Sequence, residues 1–202
     1  MSIVPKGAST RARGILAPIA RGLHGAGVSA NAVTFSGTVL TLIGSFLIAA
    51  GQPAIALVVL LFGTLADTLD GQIARLSGGG TKLGAFLDST FDRVSDSALC
   101  VAALVVGATR GDALLFAGGI VALVAGSIVP YIRAKAESLG LTASVGLAPR
   151  EARLALTVVG VAAWAITGSL QLFAAAIALV ALLSTITAIQ RIAHVARALR
   201  GT

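Results

Sequence analysis

The chain has 202 residues, 56% of them hydrophobic and 11% charged, with a mean hydropathy of +0.96. A water-soluble domain of this size has no way to bury that much apolar surface, so lipid is the expected solvent. The net charge of +7 comes from basic residues beside apolar stretches, with no aromatics interleaved; this argues against nucleic acid and for anionic headgroups and anionic substrates.

Residues 1–30 are basic and broken by Arg and Pro too often for a cleavable signal peptide; they read as an amphipathic helix lying on the membrane surface. A spanning helix needs about 20 mostly apolar residues, and six stretches qualify: 31–51, 53–76, 84–107, 112–136, 151–169 and 171–194. Gly and Pro mark the junctions, as in GQP at 51–53, SGGG at 77–80 and TGS at 167–169. Cys100 sits alone in an apolar run, which excludes a disulfide framework. His24 and His194, among basic residues near helix ends, read as interfacial. The prediction is an all-α integral membrane protein, a single domain over 1–202, with a juxtamembrane segment (1–30) and a six-helix bundle (31–202).

Lys6, Arg11, Arg13 and Arg21 precede the first span, and Arg75 and Lys82 flank the second loop. Arg133, Lys135, Arg150 and Arg153 flank the fourth, and Arg191, Arg197 and Arg200 close the chain, against Arg110 and Asp112 on the other side. The positive-inside rule therefore predicts a multi-pass protein of the plasma membrane with both termini in the cytoplasm.

Four aspartates, Asp67, Asp70, Asp88 and Asp92, interrupt the second and third spans. One Asp at a helix centre costs about 2.5–3.5 kcal/mol on insertion, and four uncompensated ones roughly 10–14 kcal/mol. If the two helices form a hairpin, Asp70 faces Asp88 about 8 Å from its turn, and Asp67 faces Asp92 at about 13 Å. The i,i+3 and i,i+4 spacings put each pair on one helix face. Such an oxygen cage suits hard divalent cations, and two of them would cancel the four charges and clamp a phosphate. Gly71, Ala74 and Gly84 leave room on this face for a ligand, although ordinary small-residue helix packing accounts for them as well.

The residues Asp67, Asp70, Gly71, Ala74, Arg75, Gly84, Asp88 and Asp92 spell D-x2-D-G-x2-A-R-x8-G-x3-D-x3-D. This resembles the signature of the CDP-alcohol phosphotransferases, with every fixed position present. The resemblance implies attack by an alcohol on the β-phosphate of CDP-diacylglycerol, with CMP as leaving group. It implies two divalent cations, Mg²⁺ or alternatively Mn²⁺, held by Asp67, Asp70, Asp88 and Asp92, with Asp92 also the base that takes the hydroxyl proton. It places Gly71, Arg75 and Thr81 against the CDP moiety. It does the same for Asn31 and Thr34 in SANAVT, where Ser29 and Ala30 stand in place of the usual Thr and Pro. It also implies a homodimer.

Arg133, Lys135, Arg150, Arg153 and Arg191 come from three helix ends on the cytoplasmic side and suggest a pocket for an anionic acceptor; for any one of them, positive-inside decoration is the alternative. YIRAKAE, then R-x2-R, then QR looks like the actinobacterial phosphatidylinositol phosphate synthases. That likeness implies inositol 1-phosphate as acceptor. Phosphatidylglycerol phosphate synthesis with glycerol 3-phosphate is the alternative, and a divalent cation transporter a distant one. Asp96, one turn beyond Asp92, is expected to pair with a basic group or support the site. Trp164 reads as either lipid-facing or packed.

Overall fold

The glycine and proline breaks fall where the helices end. The computed structural model describes residues 6–200, with side chains from Leu16 onward. These residues form seven helices: α1 (Lys6–Gly25), α2 (Ala30–Ala49), α3 (Pro53–Leu76), α4 (Lys82–Arg110), α5 (Ala113–Ser138), α6 (Arg150–Thr167) and α7 (Leu170–Arg200). The starts are set by local chemistry. Ser29 caps α2 by accepting from the Ala32 amide at 3.2 Å, Thr81 caps α4 through the Gly84 amide at 2.9 Å, and Asp112 caps α5 through Leu115 at 2.8 Å. Pro53 opens α3, where a missing N–H costs nothing. Gly111 (φ 68°) and Gly168 (φ 73°) end α4 and α6 in the left-handed conformation that closes a helix.

The all-helical expectation holds, and four of the six expected spans qualify on length and composition alone. Four helices, α2, α3, α5 and α7, are long and apolar enough to cross a membrane; α4 and α6 are not. The reason is charge. The first half of α4 carries Lys82, Asp88, Asp92, Arg93 and Asp96, and α6 begins with Arg150, Glu151 and Arg153. The same residues that make these two helices chemically interesting lower their hydropathy.

α1 is helical as expected, and packs Leu16, Ala20 and Leu23 against Val33, Leu69 and Ile73. Arg21 on the same helix is exposed; the side chains of Lys6, Arg11 and Arg13 lie outside the described residues. The main core gathers Ile48, Leu60, Leu99, Val106, Leu115, Val161, Phe173 and Ile177 from six helices. Trp164 belongs to it, 7% exposed and stacked on Phe173 with ring centroids 5.6 Å apart, so it is packed rather than lipid-facing. The periphery is apolar too: Phe46 is 72% exposed and Ile166 81%. Such a surface suits hydrocarbon and not water.

Glycine sets the helix spacing beside the aspartates. A Cβ on Gly63 of α3 would stand 3.0 Å from Thr41 Oγ1 and 3.3 Å from the Gly37 carbonyl of α2. A Cβ on Gly37 would stand 3.0 Å from the Ala66 Cβ and 3.7 Å from the Asp67 amide. Backbones can approach this closely only without side chains, which is the usual device of helix pairs in lipid. Gly63→Leu is therefore expected to force α2 and α3 apart at a cost of about 1–3 kcal/mol. The check is a lowered thermal midpoint in detergent, accompanied by weaker binding of Mn²⁺ because Asp67 moves with the helix.

Candidate active site

The aspartates come together at the α3–α4 hairpin. Asp67, Asp70 and Asp88 each bring one carboxylate oxygen within 4.8 Å of the others. Oxygens around a Mg²⁺ ion at about 2.1 Å stand up to roughly 4.2 Å apart, so these three need little adjustment to share an ion. An all-oxygen donor set also selects hard cations over zinc or copper. Asp70 is only 7% exposed and is held from α2: Thr34 Oγ1 donates to its Oδ2 at 2.6 Å. The close α2–α3 crossing makes that reach possible.

Asp92 does not join the trio. Its Oδ1 pairs instead with Arg150 Nη2 at 3.0 Å. Arg150, the first residue of α6, also places Nη1 3.2 Å from Asp67 Oδ1 and Nε 3.3 Å from Asp96 Oδ1. Asp96 in turn accepts from Arg153 Nη2 at 3.1 Å, which fulfils the expectation of a basic partner. Arg153 is buried, and its Nη1 donates to the Ala148 carbonyl at 3.2 Å. Three carboxylates, those of Asp67, Asp92 and Asp96, and two guanidiniums thus form one continuous network across α3, α4 and α6.

Two cavities meet at Asp88. The first, of about 340 Å³, is lined by Asn31, Thr34, Asp70, Gly71, Thr81 and Gly84, among others. Its mouth gathers the N-termini of α2 and α4, whose positive dipole ends favour phosphate. Gly71 faces open space, since a Cβ there would meet nothing nearer than Arg75 Nη1 at 3.9 Å. Arg75 itself is exposed beside this cavity and not part of its wall. Gly78 (φ 87°) and Gly79 (φ 115°) let the hairpin turn tightly enough for Gly79 and Gly80 to complete the rim.

The second cavity, of about 580 Å³, is lined by Asp88, Asp92 and Asp96 together with Arg93, Arg133, Arg150, Arg153 and Arg191, and by Glu137 and Glu151. Arg191 is 9% exposed and donates through Nε to Val145 O and through Nη1 to Val129 O, both at 2.9 Å. These bonds tie α7 to α5 and to the loop at 139–149. Thr187 Oγ1 adds a tie by accepting from the Ala148 amide at 3.2 Å. Of the five basic residues expected to surround an acceptor, Lys135 is the exception. It is exposed and off the cavity wall, because two residues along a helix from Arg133 turn a side chain to the opposite side. The engagement of Arg150 with the aspartates was not visible in sequence; its partners lie 54 and 83 residues away. Asp70→Asn and Asp88→Asn are each expected to weaken Mn²⁺ binding at least about tenfold, measured by electron paramagnetic resonance on purified protein, since each removes one of three converging anionic ligands.

Comparison with known proteins agrees with this geometry. Residues 28–198 match the sequence profile of the family described as CDP-alcohol phosphatidyltransferase. The chain is 38% identical over 146 residues to the phosphatidylinositol phosphate synthase of Mycolicibacterium smegmatis, an alignment covering 71% of this chain and 65% of that relative. It is 35% identical over 191 residues to the protein of the same name from Streptomyces avermitilis, covering 91% and 78%. Among solved structures, the Mycobacterium tuberculosis phosphatidylinositol phosphate synthase with CDP-DAG bound superposes with a TM-score of 0.82 at 34% identity, covering 90% of this chain and 93% of that one. The same enzyme in complex with manganese and citrate gives a TM-score of 0.81 at 34% identity, covering 88% and 87%. The chain belongs to the CDP-alcohol phosphatidyltransferase family and is an enzyme of that class.

Proposed function

We propose that the protein transfers the phosphatidyl group of CDP-diacylglycerol to inositol 1-phosphate, releasing CMP and forming phosphatidylinositol phosphate. The observation that carries this reading is the meeting of two unlike cavities at Asp88: one bounded by helix N-termini and glycines, the other by five arginines. The first suits the pyrophosphate and nucleoside of a CDP-lipid, and the second a phosphorylated alcohol. The relatives' names favour inositol 1-phosphate over glycerol 3-phosphate as that alcohol.

The roles divide as follows. Divalent cations, Mg²⁺ or Mn²⁺, held by Asp67, Asp70, Asp88 and Asp92 would neutralise the charge on the transferred phosphate. Thr34 keeps Asp70 oriented from α2. Gly71 leaves the cavity wall bare, so the nucleotide approaches the backbone closely there, while Gly84 lets Asn31 and Thr81 close in to supply polar contacts with Thr34, and Arg75 adds a charge at the rim. Arg153 and Arg191, buried and fixed by backbone carbonyls, hold the acceptor phosphate, with Arg133 and Arg150 on the same wall. Asp92, on the wall of the acceptor cavity, takes the proton from the attacking hydroxyl. Positioning and charge stabilisation are what phosphoryl transfer chiefly requires, and these residues supply both.

In the membrane, α2 to α7 are six spans. α4 and α6 have 29 and 18 residues, about 43 and 27 Å, which is long enough. Their charges gather at the site end, with apolar residues filling the remainder. Both termini and the site face the cytoplasm of the plasma membrane, α1 lies along that face, and two copies pair as a homodimer.

Two experiments test the assignment. Asp92→Asn should lower turnover at least about a hundredfold while CDP-diacylglycerol still binds, since a carboxylate base within reach contributes about 10²–10⁴ in rate; an active Asp92→Asn enzyme removes it from that role. Arg191→Ala and Arg153→Ala should raise the KM for inositol 1-phosphate by about tenfold or more with the KM for CDP-diacylglycerol little changed, as expected for loss of a charge-assisted phosphate contact. Equal effects on both substrates would assign these arginines to folding instead.

A further inference from the structure

Arg150 is doing more than lining the acceptor cavity. Its side chain is only 23% exposed, and its three nitrogens are spread over three carboxylates: Asp67 at 3.2 Å, Asp92 at 3.0 Å and Asp96 at 3.3 Å. The first two belong to the aspartate set that would hold divalent cations; Asp96 lies outside it. A carboxylate oxygen facing a guanidinium at this distance already has its charge neutralised. A cation binding the same oxygens must displace the guanidinium, because the two positive charges repel each other. Asp96 faces no such choice, and it is anchored separately by Arg153 at 3.1 Å.

We infer that Arg150 is a positioning residue that stands in for a cation. In the cation-free protein its Nη atoms neutralise Asp67 and Asp92. On cation loading they leave both, while Nε remains on Asp96 as a pivot. The freed Nη atoms then turn into the cavity that Arg150 already lines with Arg133, Arg153 and Arg191. Cation binding thereby completes the acceptor wall, and by thermodynamic reciprocity an acceptor phosphate on Arg150 strengthens cation binding. Asp67 and Asp92 thus carry a positive partner at either stage, which matters for groups placed among apolar helices. The inference rests on the proposed cation role of the aspartates.

The test is a Mn²⁺ titration of full-length protein in detergent, with free Mn²⁺ read by electron paramagnetic resonance. Removing the competing guanidinium in Arg150→Gln should tighten Mn²⁺ binding about tenfold, a change of roughly 1.4 kcal/mol. Arg153→Gln removes an equal charge whose carboxylate partner is Asp96 rather than Asp67 or Asp92, and should change the affinity less than about twofold on a screened, longer-range interaction. In wild type, inositol 1-phosphate should lower the Mn²⁺ Kd, and this coupling should vanish in Arg150→Gln. Should Arg150→Gln fail to fold, Arg150→Lys keeps the charge but reaches fewer carboxylates, and should tighten binding about threefold. A Kd unchanged or weakened in whichever variant folds overturns the inference while leaving the cation role standing. Wild-type protein that binds no Mn²⁺ overturns both.

Discussion

A carboxylate set among apolar helices is costly unless its charge is balanced where it stands. Most of the structure around Asp67, Asp70, Asp88 and Asp92 follows from that requirement. Asp70, the most buried, receives a hydroxyl from Thr34. Asp67 and Asp92 receive the two ends of one guanidinium from Arg150. Asp88 is exposed at the junction of the two cavities. The glycine crossing of α2 and α3 serves the same end: without Gly37 and Gly63 the helices could not come close enough for Thr34 to reach Asp70.

The helices divide the work by chain position. The α3–α4 hairpin carries every carboxylate of the motif, and its glycine turn brings the two strings of aspartates to one depth. The second half of the chain supplies the positive charge, from α5, α6 and α7. The loop at 139–149 joins these parts. Arg153, Arg191 and Thr187 all bond to its backbone or to α5, so the arginines stand in fixed positions before any anion arrives. Fixed charges need no reorganisation when substrate binds, which is the condition under which electrostatic stabilisation is most effective.

Much of this was legible in the sequence. Helix ends at Leu76, Lys82 and Arg150 follow from glycines, prolines and caps, all local signals. The aspartate cage follows from spacing, since i,i+3 and i,i+4 fix the shared face of a helix whatever surrounds it. What escaped was decided between helices. Arg150 read as a phosphate anchor because its aspartate partners are distant in the chain. Lys135 read as part of the pocket because a cluster of basic letters does not reveal the 200° turn that separates it from Arg133. α4 and α6 fall short of the apolarity of the other spans because hydropathy and site chemistry draw on the same residues there.

The central claim is that the two cavities meeting at Asp88 bring a CDP-lipid and a phosphorylated alcohol together for transfer. Its most direct test is CMP release from CDP-diacylglycerol by purified protein with Mg²⁺, with inositol 1-phosphate, free inositol and glycerol 3-phosphate offered in parallel. The account predicts release with inositol 1-phosphate alone, and none after chelation. Release with glycerol 3-phosphate in place of inositol 1-phosphate would contradict the acceptor assignment, and no release with any of the three would contradict the claim itself.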